Sequence, residues 1–291
     1  MALTQRHHEA LEALYDAYTH RRFVSPDPLE ALYAYKNAAD IEVAALVASC
    51  LAYGRVAQIV RSVRAVLGLM GDSPSQYVAA ATPAVLRRDL GGFCHRFNTA
   101  ADMAALLLGA RAVRKKYGSL AGCLAAGLRG GDVWGGLAKL SGELTAAGGR
   151  KSFLLSDPHG GGACKRLHLL LRWLVRRDRV DVGGWDAVKP GQLVVPLDTH
   201  MHRLALAMGL TARKSADART AREVTAAYAR LSPHDPVRYD FALTRLGIRR
   251  DMDDTSFLSR WHSLSRLCSR GGGGTAFHDT GWKACATGGE L

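Results

Sequence analysis

The chain has 291 residues, of which 48% are hydrophobic and 22% are charged. This balance excludes a disordered or fibrous protein, and it is enough to bury the core of one large domain or of two lobes. Lys and Arg total 39 against 26 Asp and Glu, so the formal net charge is +13. Such an excess favours a polyanionic partner, although DNA, RNA, an anionic membrane surface or merely a solvated basic surface would all agree with it.

The cysteines and the first residues exclude several other classes of protein. Six cysteines are scattered without a C-x-x-C pair or a run that would hold zinc or an iron–sulfur cluster: Cys50, Cys94, Cys123, Cys164, Cys268 and Cys285. The N-terminal stretch carries charges and lacks an apolar signal core, and no uncharged stretch reaches the ~18 residues of a membrane span. We therefore expect reduced thiols, no metal or cofactor, no membrane association and a cytoplasmic protein.

Apolar residues recur at helical spacing almost everywhere, beginning with Leu11, Leu14, Tyr15 and Tyr18, and strand-like alternation is nearly absent. Asp40 is predicted to cap a helix that ends before the break at Tyr53-Gly54-Arg55, and a second helix follows that break. Further helices are predicted at about 99–117, 131–147, 163–178, 199–209, 217–230, 236–247 and 253–268. The pattern predicts an all-α fold.

Two segments depart from helical periodicity. Residues 191–197 form an extended stretch that leads directly into Asp198. Residues 271–291 are rich in glycine and have no periodicity, which predicts a flexible tail after a helical domain at 1–270.

A glycine-rich segment, Gly160-Gly161-Gly162, stands immediately before the predicted helix that contains Lys165. Glycines let backbone N–H groups approach a ligand closely, and a helix start carries partial positive charge, so the segment suits a phosphate. An ordinary loop is the alternative, because the segment lacks the spacing of a nucleotide-binding P-loop.

The helix after these glycines is predicted to carry a basic stripe. At ~100° per residue, Lys165, Leu169, Arg172 and Arg176 fall within about 20° of one line. Trp173 lies beside the stripe, and a leucine-rich opposite side is expected to pack inward. A plain solvated face is the alternative interpretation of the stripe, and a core position is the alternative for Trp173.

The segment from Val194 to Arg203 predicts an extended entry into a helix with Asp198 at its N-cap. An aspartate at this position can serve as a cap alone, for roughly 1 kcal/mol. His200 and His202 suggest a metal site with Asp198, but two rings in an H-x-H pattern on a helix point about 200° apart.

Together these segments resemble the helix-hairpin-helix DNA glycosylase superfamily, which includes the 8-oxoguanine glycosylases. The matching segments are the helix pair around AALVASCLAYGRVAQIV, the Gly-rich turn followed by a lysine, and VPLDTHMHRLA. Over about residues 25–250 the chain is most similar to an uncharacterised bacterial family within that superfamily. The elements of that family appear as Ala52–Arg55, Ala163–Asp178, Pro196–Arg203 and Tyr239–Leu243.

The resemblance implies a two-lobed helical fold with a DNA cleft between the lobes, and a nucleoid-associated base-excision repair enzyme. Lys165 matches the nucleophile, Asp198 the catalytic aspartate and Gly160–Gly162 the hairpin that holds a phosphate. It also implies further DNA contacts at Tyr53, Arg55, Gln58, Arg166, Arg172, Arg176, His200 and Arg203. Trp173 and His202 are the candidates for the pocket of the flipped base. The expected partner is double-stranded DNA with a damaged base, bound by a monomer.

The implied reaction is removal of an oxidised purine, with 8-oxoguanine as the leading candidate, and an accompanying lyase step. The chain departs from the common enzymes in its hairpin sequence and in the 33 positions between Lys165 and Asp198. This separation is more similar to the archaeal 8-oxoguanine branch. The alternatives are a non-catalytic DNA-binding protein of the same fold, a metal-dependent hydrolase, and a helical interaction module without nucleic acid.

Overall fold

The structure is a computed structural model that describes residues 3–248 and 254–269. In this part of the chain most residues are helical, and the α-helices are α1 (Gln5–Tyr18), α2 (Ala38–Cys50), α3 (Val56–Met70), α4 (Pro74–Ala80), α5 (Pro83–Asp89), α6 (Ala100–Tyr117), α7 (Leu120–Ala125), α8 (Val133–Gly148), α9 (Lys165–Val175), α10 (Thr199–Ala207), α11 (Ala218–Ala229), α12 (Asp240–Ile248) and α13 (Asp254–Ser269). Short 3₁₀ turns occupy Arg21–Phe23, Pro28–Ala34, Pro158–Gly160 and Pro190–Gln192. The predicted all-α class is confirmed at this level.

The strands within the described residues are β1 (Cys94–His95) and β2 (Asn98–Thr99), which form a small antiparallel hairpin. The sequence pattern did not predict this hairpin, nor the short helices α4, α5 and α7, because elements of a few residues have too little periodicity to detect. The hairpin places its turn residues Arg96 and Phe97 at the surface.

Two predicted helix boundaries are wrong. Asn37, not Asp40, caps α2, and its side chain accepts a hydrogen bond from the backbone N–H of Ala39 at 2.8 Å. Asp40 is buried in the first turn, where it accepts hydrogen bonds from Ser73 and Ser75 and so ties α2 to the start of α4. The sequence pattern pointed to Asp40 and missed Asn37, three positions earlier, because only the tertiary contact with Ser73 and Ser75 shows that Asp40 has another role.

The helix predicted at 163–178 ends at Val175, and Arg176 has extended backbone. The carbonyl of Trp173 accepts hydrogen bonds from the backbone N–H groups of Val182 and Gly183, at 3.2 and 3.0 Å. The chain therefore turns back onto the end of α9 rather than continuing the helix.

The helices share one hydrophobic core but divide into two sets by their contacts. Helices α2 to α8 pack mainly among themselves, while α1 and α10 pack against α12, and α1 also contacts α13. Helix α9 packs against α2 and is linked to α12 through the pair of Arg172 and Asp240, so it joins the two sets. Within the first set α6 and α8 are in backbone contact, because a Cβ at Gly109 would lie 2.3 Å from the carbonyl oxygen of Leu144.

The N-terminal segment completes the second set. Arg238 forms an ion pair with Glu12 at 3.0 Å, and Arg245 donates to the carboxylate of Asp27 at 2.7 Å. The predicted tail at 271–291 lies outside the described residues. Among the helices that the structure describes, none is both long and apolar enough to span a bilayer.

Candidate active site

Lys165 and Asp198 come together at the starts of two helices. Lys165 is the first residue of α9, and Asp198 caps α10 by accepting a hydrogen bond from the N–H of Met201 at 2.8 Å. The Lys165 Nζ lies 3.4 Å from Asp198 Oδ2, and the same ammonium donates to the carbonyl oxygen of Ala52 at 3.3 Å. Both side chains are 29% exposed. A ligand can therefore reach an amine and a carboxylate that already touch each other.

The glycine segment forms an exposed turn immediately before α9. Gly161 has φ +75°, and a Cβ at any of Gly160, Gly161 or Gly162 would meet no atom within 4 Å. Cys164 also adopts left-handed backbone, with φ +47°, just before the helix begins. The carbonyl oxygen of Gly161 accepts a hydrogen bond from the N–H of Ala218 at 3.0 Å, which fixes the turn against the start of α11.

Arg166 does not extend into solvent as a DNA contact would. It is 8% exposed, and its Nη1 donates to the carbonyl oxygen of Cys50 at 3.3 Å. Its guanidinium lies 4.9 Å from the ring centroid of Tyr53 and 4.4 Å from that of Phe153. Burial lowers the pKa of Arg166. Arg166 thus supports aromatic side chains rather than offering a free cation, which corrects the predicted DNA contact.

The predicted basic stripe is wrong beyond Lys165. Arg172 and Arg176 are 4% and 3% exposed, and they are held in a buried charge cluster with carboxylates that follow α9 or begin α12. Arg172 contacts Asp181 at 3.2 Å and also pairs with Asp240. The other pairs of the cluster join Arg176 to Asp178, Asp181 and Asp235. Helical projection does not apply to Arg176, which lies beyond the end of α9, and for Arg172 it could not show that acidic residues from other segments cover the side chain.

Asp240 is a residue of the site that the sequence did not single out. It is 4% exposed, and its Oδ1 is buried without a hydrogen-bond partner among the described residues. Burial raises the pKa of Asp240, Arg172 opposes that rise, and the nearby charges of Asp198 and Lys165 act on it as well. A second, buried carboxylate is therefore electrostatically coupled to the pair of Lys165 and Asp198. Its only sequence signal was its place in the YDFAL element.

The two residues predicted for a base pocket are both buried. Trp173 is 1% exposed and belongs to the hydrophobic core. His202 is 9% exposed, and its Nε2 lies 2.8 Å from the carbonyl oxygen of Arg213. Neither ring is open to a flipped base. For Trp173 the core interpretation, the alternative at the sequence level, is correct.

His200 and Arg203 lie on the first turns of α10. The Arg203 side chain is 55% exposed and pairs with Asp254 at 2.5 Å, and it also contacts the Nδ1 of His200 at 3.2 Å. Among the described residues, no three His, Cys, Asp or Glu side chains converge into a metal-binding group. Asp198, His200 and His202 therefore do not share a ligand position.

The turn between α2 and α3 lies beside Lys165, because the carbonyl of Ala52 is the acceptor for its ammonium. Arg55 is exposed and precedes α3, whereas Gln58 is partly buried. Gly54 has φ +94°, and a Cβ there would come within 3.1 Å of Arg96 Cδ, so the turn fits closely against the β1–β2 hairpin.

His168 lies one turn beyond Lys165 on α9 and is 1% exposed. Its ring packs edge-on against Trp134, with centroids 4.7 Å apart, and neither ring nitrogen has a hydrogen-bond partner among the described residues. Burial, assisted by the charge of Arg222, lowers the pKa of His168 to about 3. The folded protein therefore keeps this ring neutral over a pH range in which the unfolded chain protonates it.

This difference predicts a pH-dependent stability. Between about pH 6.5 and 3 the unfolded state binds a proton that the folded state does not, so stability falls as the pH is lowered through this window, by at most about 1.4 kcal/mol per pH unit. In His168→Leu and His168→Gln this contribution is expected to vanish. Urea unfolding from pH 7 to 4 measures it. If the free energy of unfolding of wild type and both variants changed in parallel with pH, the interpretation would be incorrect.

The chain was compared with curated proteins, solved structures and protein-family models. No curated protein matches the chain, and no solved structure matches it. One family model, described as "Protein of unknown function (DUF2400)", matches residues 27–249, a range that includes the α2–α3 turn, Lys165, Asp198 and Asp240. Since this range covers more than half of the chain, the protein belongs to the DUF2400 family.

Proposed function

We propose that this protein is a DNA glycosylase with an associated lyase activity, in which Lys165 is the nucleophile and Asp198 its carboxylate partner. The observation that carries the proposal is the contact of 3.4 Å between Lys165 Nζ and Asp198 Oδ2, made by two partly exposed side chains 33 positions apart in the chain. The resemblance to helix-hairpin-helix glycosylases assigns these same two residues to catalysis. The net charge of +13 supports a polyanionic substrate.

The first step follows from what the pair can do chemically. A base must leave the helical stack before an enzyme can reach its sugar, at a cost of a few kcal/mol. Asp198 Oδ2 is placed to take a proton from the Lys165 ammonium, which frees a lone pair for attack on C1′. As the bond between C1′ and the base breaks, its electron pair leaves with the base, and the base takes up the proton that Asp198 received from Lys165. The regenerated Asp198 carboxylate stabilises the positive charge that remains on the sugar and on Nζ.

The second step uses the same lysine. The bond between C1′ and the ring oxygen then breaks, the oxygen takes up a proton from Nζ, and an imine forms between the opened sugar and Nζ. Removal of a proton from C2′ forms a double bond between C2′ and C3′ and expels the 3′ phosphate. Water finally hydrolyses the imine and restores the free amine. Because only C1′ and Nζ are joined in the intermediate, reduction of the imine leaves the protein attached to DNA.

The favoured substrate is an oxidised purine, with 8-oxoguanine as the leading candidate, and this specificity rests on the family resemblance. Gly160–Gly162 form an open turn at the start of α9 that suits a DNA phosphate, since exposed N–H groups and the helix start both favour an anion. Arg55 is exposed at the α2–α3 turn, and Arg203 is exposed on α10, where it pairs with Asp254.

Borohydride trapping tests the proposal directly. We expect wild-type protein to form a covalent adduct with a duplex that contains 8-oxoguanine, and no adduct with an undamaged duplex of the same sequence. A panel with other oxidised bases, uracil and an abasic site defines the substrate class. Damage-independent binding without an adduct would instead identify a non-catalytic DNA-binding protein, and cleavage that requires a divalent cation would identify a metal-dependent hydrolase.

A further inference from the structure

Three aromatic side chains from separate loops form an exposed cluster beside Lys165. This aromatic platform consists of Tyr53 from the α2–α3 turn, Phe97 from the β1–β2 hairpin and Phe153 from the loop before α9. The ring centroids of Phe97 and Phe153 are 4.7 Å apart, and both rings contact Tyr53. Phe97 is 57% exposed and Phe153 is 52% exposed, although most aromatic side chains of the described residues are buried or partly buried.

Hydrogen bonds and a buried arginine hold the aromatic platform in place on its protein side. The Tyr53 hydroxyl donates to the carbonyl oxygen of His95 at 3.0 Å and accepts from the side chain of Asn98. The buried Arg166 guanidinium faces both Tyr53 and Phe153, and it is itself anchored on the carbonyl of Cys50. The three loops therefore present their rings in a preorganised arrangement, which reduces the entropy lost when a ligand binds.

The surroundings of the platform indicate the chemistry of its ligand. Adjacent exposed apolar rings mark an interaction surface in a protein that otherwise buries such groups. Two exposed arginines border them: Arg55 follows Tyr53 in the chain by two positions, and Arg96 precedes Phe97 with its guanidinium 6.0 Å from that ring. A ligand with flat rings and negative charge satisfies both features, and single-stranded nucleic acid has this combination.

The platform is also continuous with the candidate active site. Ala52, the acceptor for Lys165, directly precedes Tyr53, and Arg166 directly follows Lys165. A strand that reaches the amine therefore passes the aromatic rings.

We infer that the aromatic platform stacks on unpaired nucleobases, and that the protein prefers DNA whose bases next to the target are unpaired, as in a bubble or a single strand. In an intact duplex the faces of each base are covered by its neighbours, so rings that are more than half exposed find a free base face only where the stack is open. The inference rests on the proposed function in that it takes DNA as the substrate presented to Lys165.

The test compares binding of two DNAs of equal length and sequence, one fully paired and one with a central bubble that contains 2-aminopurine. Wild type is expected to bind the bubble more tightly and to change the 2-aminopurine fluorescence. Base stacking on an aromatic ring contributes roughly 5- to 150-fold in affinity per base. Phe97→Leu and Phe153→Leu keep the apolar character and remove the aromatic face, so each is expected to lower the bubble preference by about tenfold. Leu69→Ala, which alters an exposed leucine of α3, is the matched control and should leave it unchanged.

Each contrary result has a defined meaning. An unchanged preference in the double Phe variant, or tighter binding of single-stranded RNA than of the DNA bubble, would overturn the inference. Self-association of wild type that both Phe substitutions abolish would overturn it too, since a second copy would then cover the rings. Borohydride adducts without any bubble preference would refute base stacking on the platform and leave the glycosylase proposal intact. Bubble preference without adducts would support base stacking and count against the glycosylase proposal.

Discussion

Replacing Lys165 with glutamine is expected to eliminate the borohydride-trapped adduct and to lower strand cleavage by about three orders of magnitude or more. Glutamine cannot form an imine, and it leaves Asp198 without the ammonium that lies 3.4 Å from it. Lys165→Arg should lose the adduct and strand cleavage to the same extent, because a guanidinium keeps the positive charge but does not attack C1′. The measurement is single-turnover cleavage and adduct formation on the best substrate of the lesion panel. Lys151→Gln, at an exposed lysine of the loop before α9, is the control.

A companion variant separates the two roles of Asp198. Asn is as good a helix cap as Asp, so Asp198→Asn should keep the hydrogen bond to the N–H of Met201 and leave folding intact. The substitution removes the negative charge of the carboxylate, and we therefore expect the variant to lose turnover but to bind DNA as wild type does. An efficient adduct in Lys165→Gln would refute the assignment of the nucleophile. Unfolding of Asp198→Asn would show that the charge of Asp198 is needed for the fold, and turnover at the wild-type rate would refute its catalytic role.

The second large effect is on stability. Arg172→Leu is expected to lower the free energy of unfolding by about 3–5 kcal/mol, because the buried carboxylate of Asp240 would lose its counter-charge and that of Asp181 would keep only Arg176. This is a substantial part of the 5–15 kcal/mol that typically separates folded from unfolded protein. Urea unfolding at neutral pH, followed by circular dichroism, measures the change.

The control for this prediction is an ion pair of similar composition at the surface. Arg179 and Asp16 lie 3.2 Å apart with side chains 50% and 65% exposed, so Arg179→Leu should change stability by less than about 1 kcal/mol. If the two variants lost equal stability, the buried charge cluster would contribute no more than a solvated pair.

The sequence predicted the parts of the structure that depend on local signals. Long amphipathic helices such as α6 and α8 appear close to their expected limits because apolar spacing and cap residues are both local. The Tyr53-Gly54-Arg55 break separates α2 from α3 as expected. Lys165 and Asp198 were paired through the family resemblance, and the structure brings them into contact.

The remaining features depend on which segments meet in space. The direction of Arg172 along α9 followed from the helical repeat, but its burial depends on Asp181 and Asp240, which no local pattern connects to it. The exposure of Phe97 and Phe153 could not be predicted from the sequence either, because an isolated aromatic residue in a loop has no periodicity that assigns it to the core or to the surface.

The attachment of the N-terminal segment to the second set of helices constrains the order in which the chain can fold during synthesis. Helices α2 to α8 are consecutive, so their contacts are available as soon as that part of the chain has left the ribosome. Asp27, in contrast, must wait for Arg245, which lies 218 positions later. At about 5–20 residues per second this interval lasts roughly ten to forty seconds. Asp240 emerges at the end of the same interval, so the surroundings of Lys165 become complete only when almost all the helices have been made.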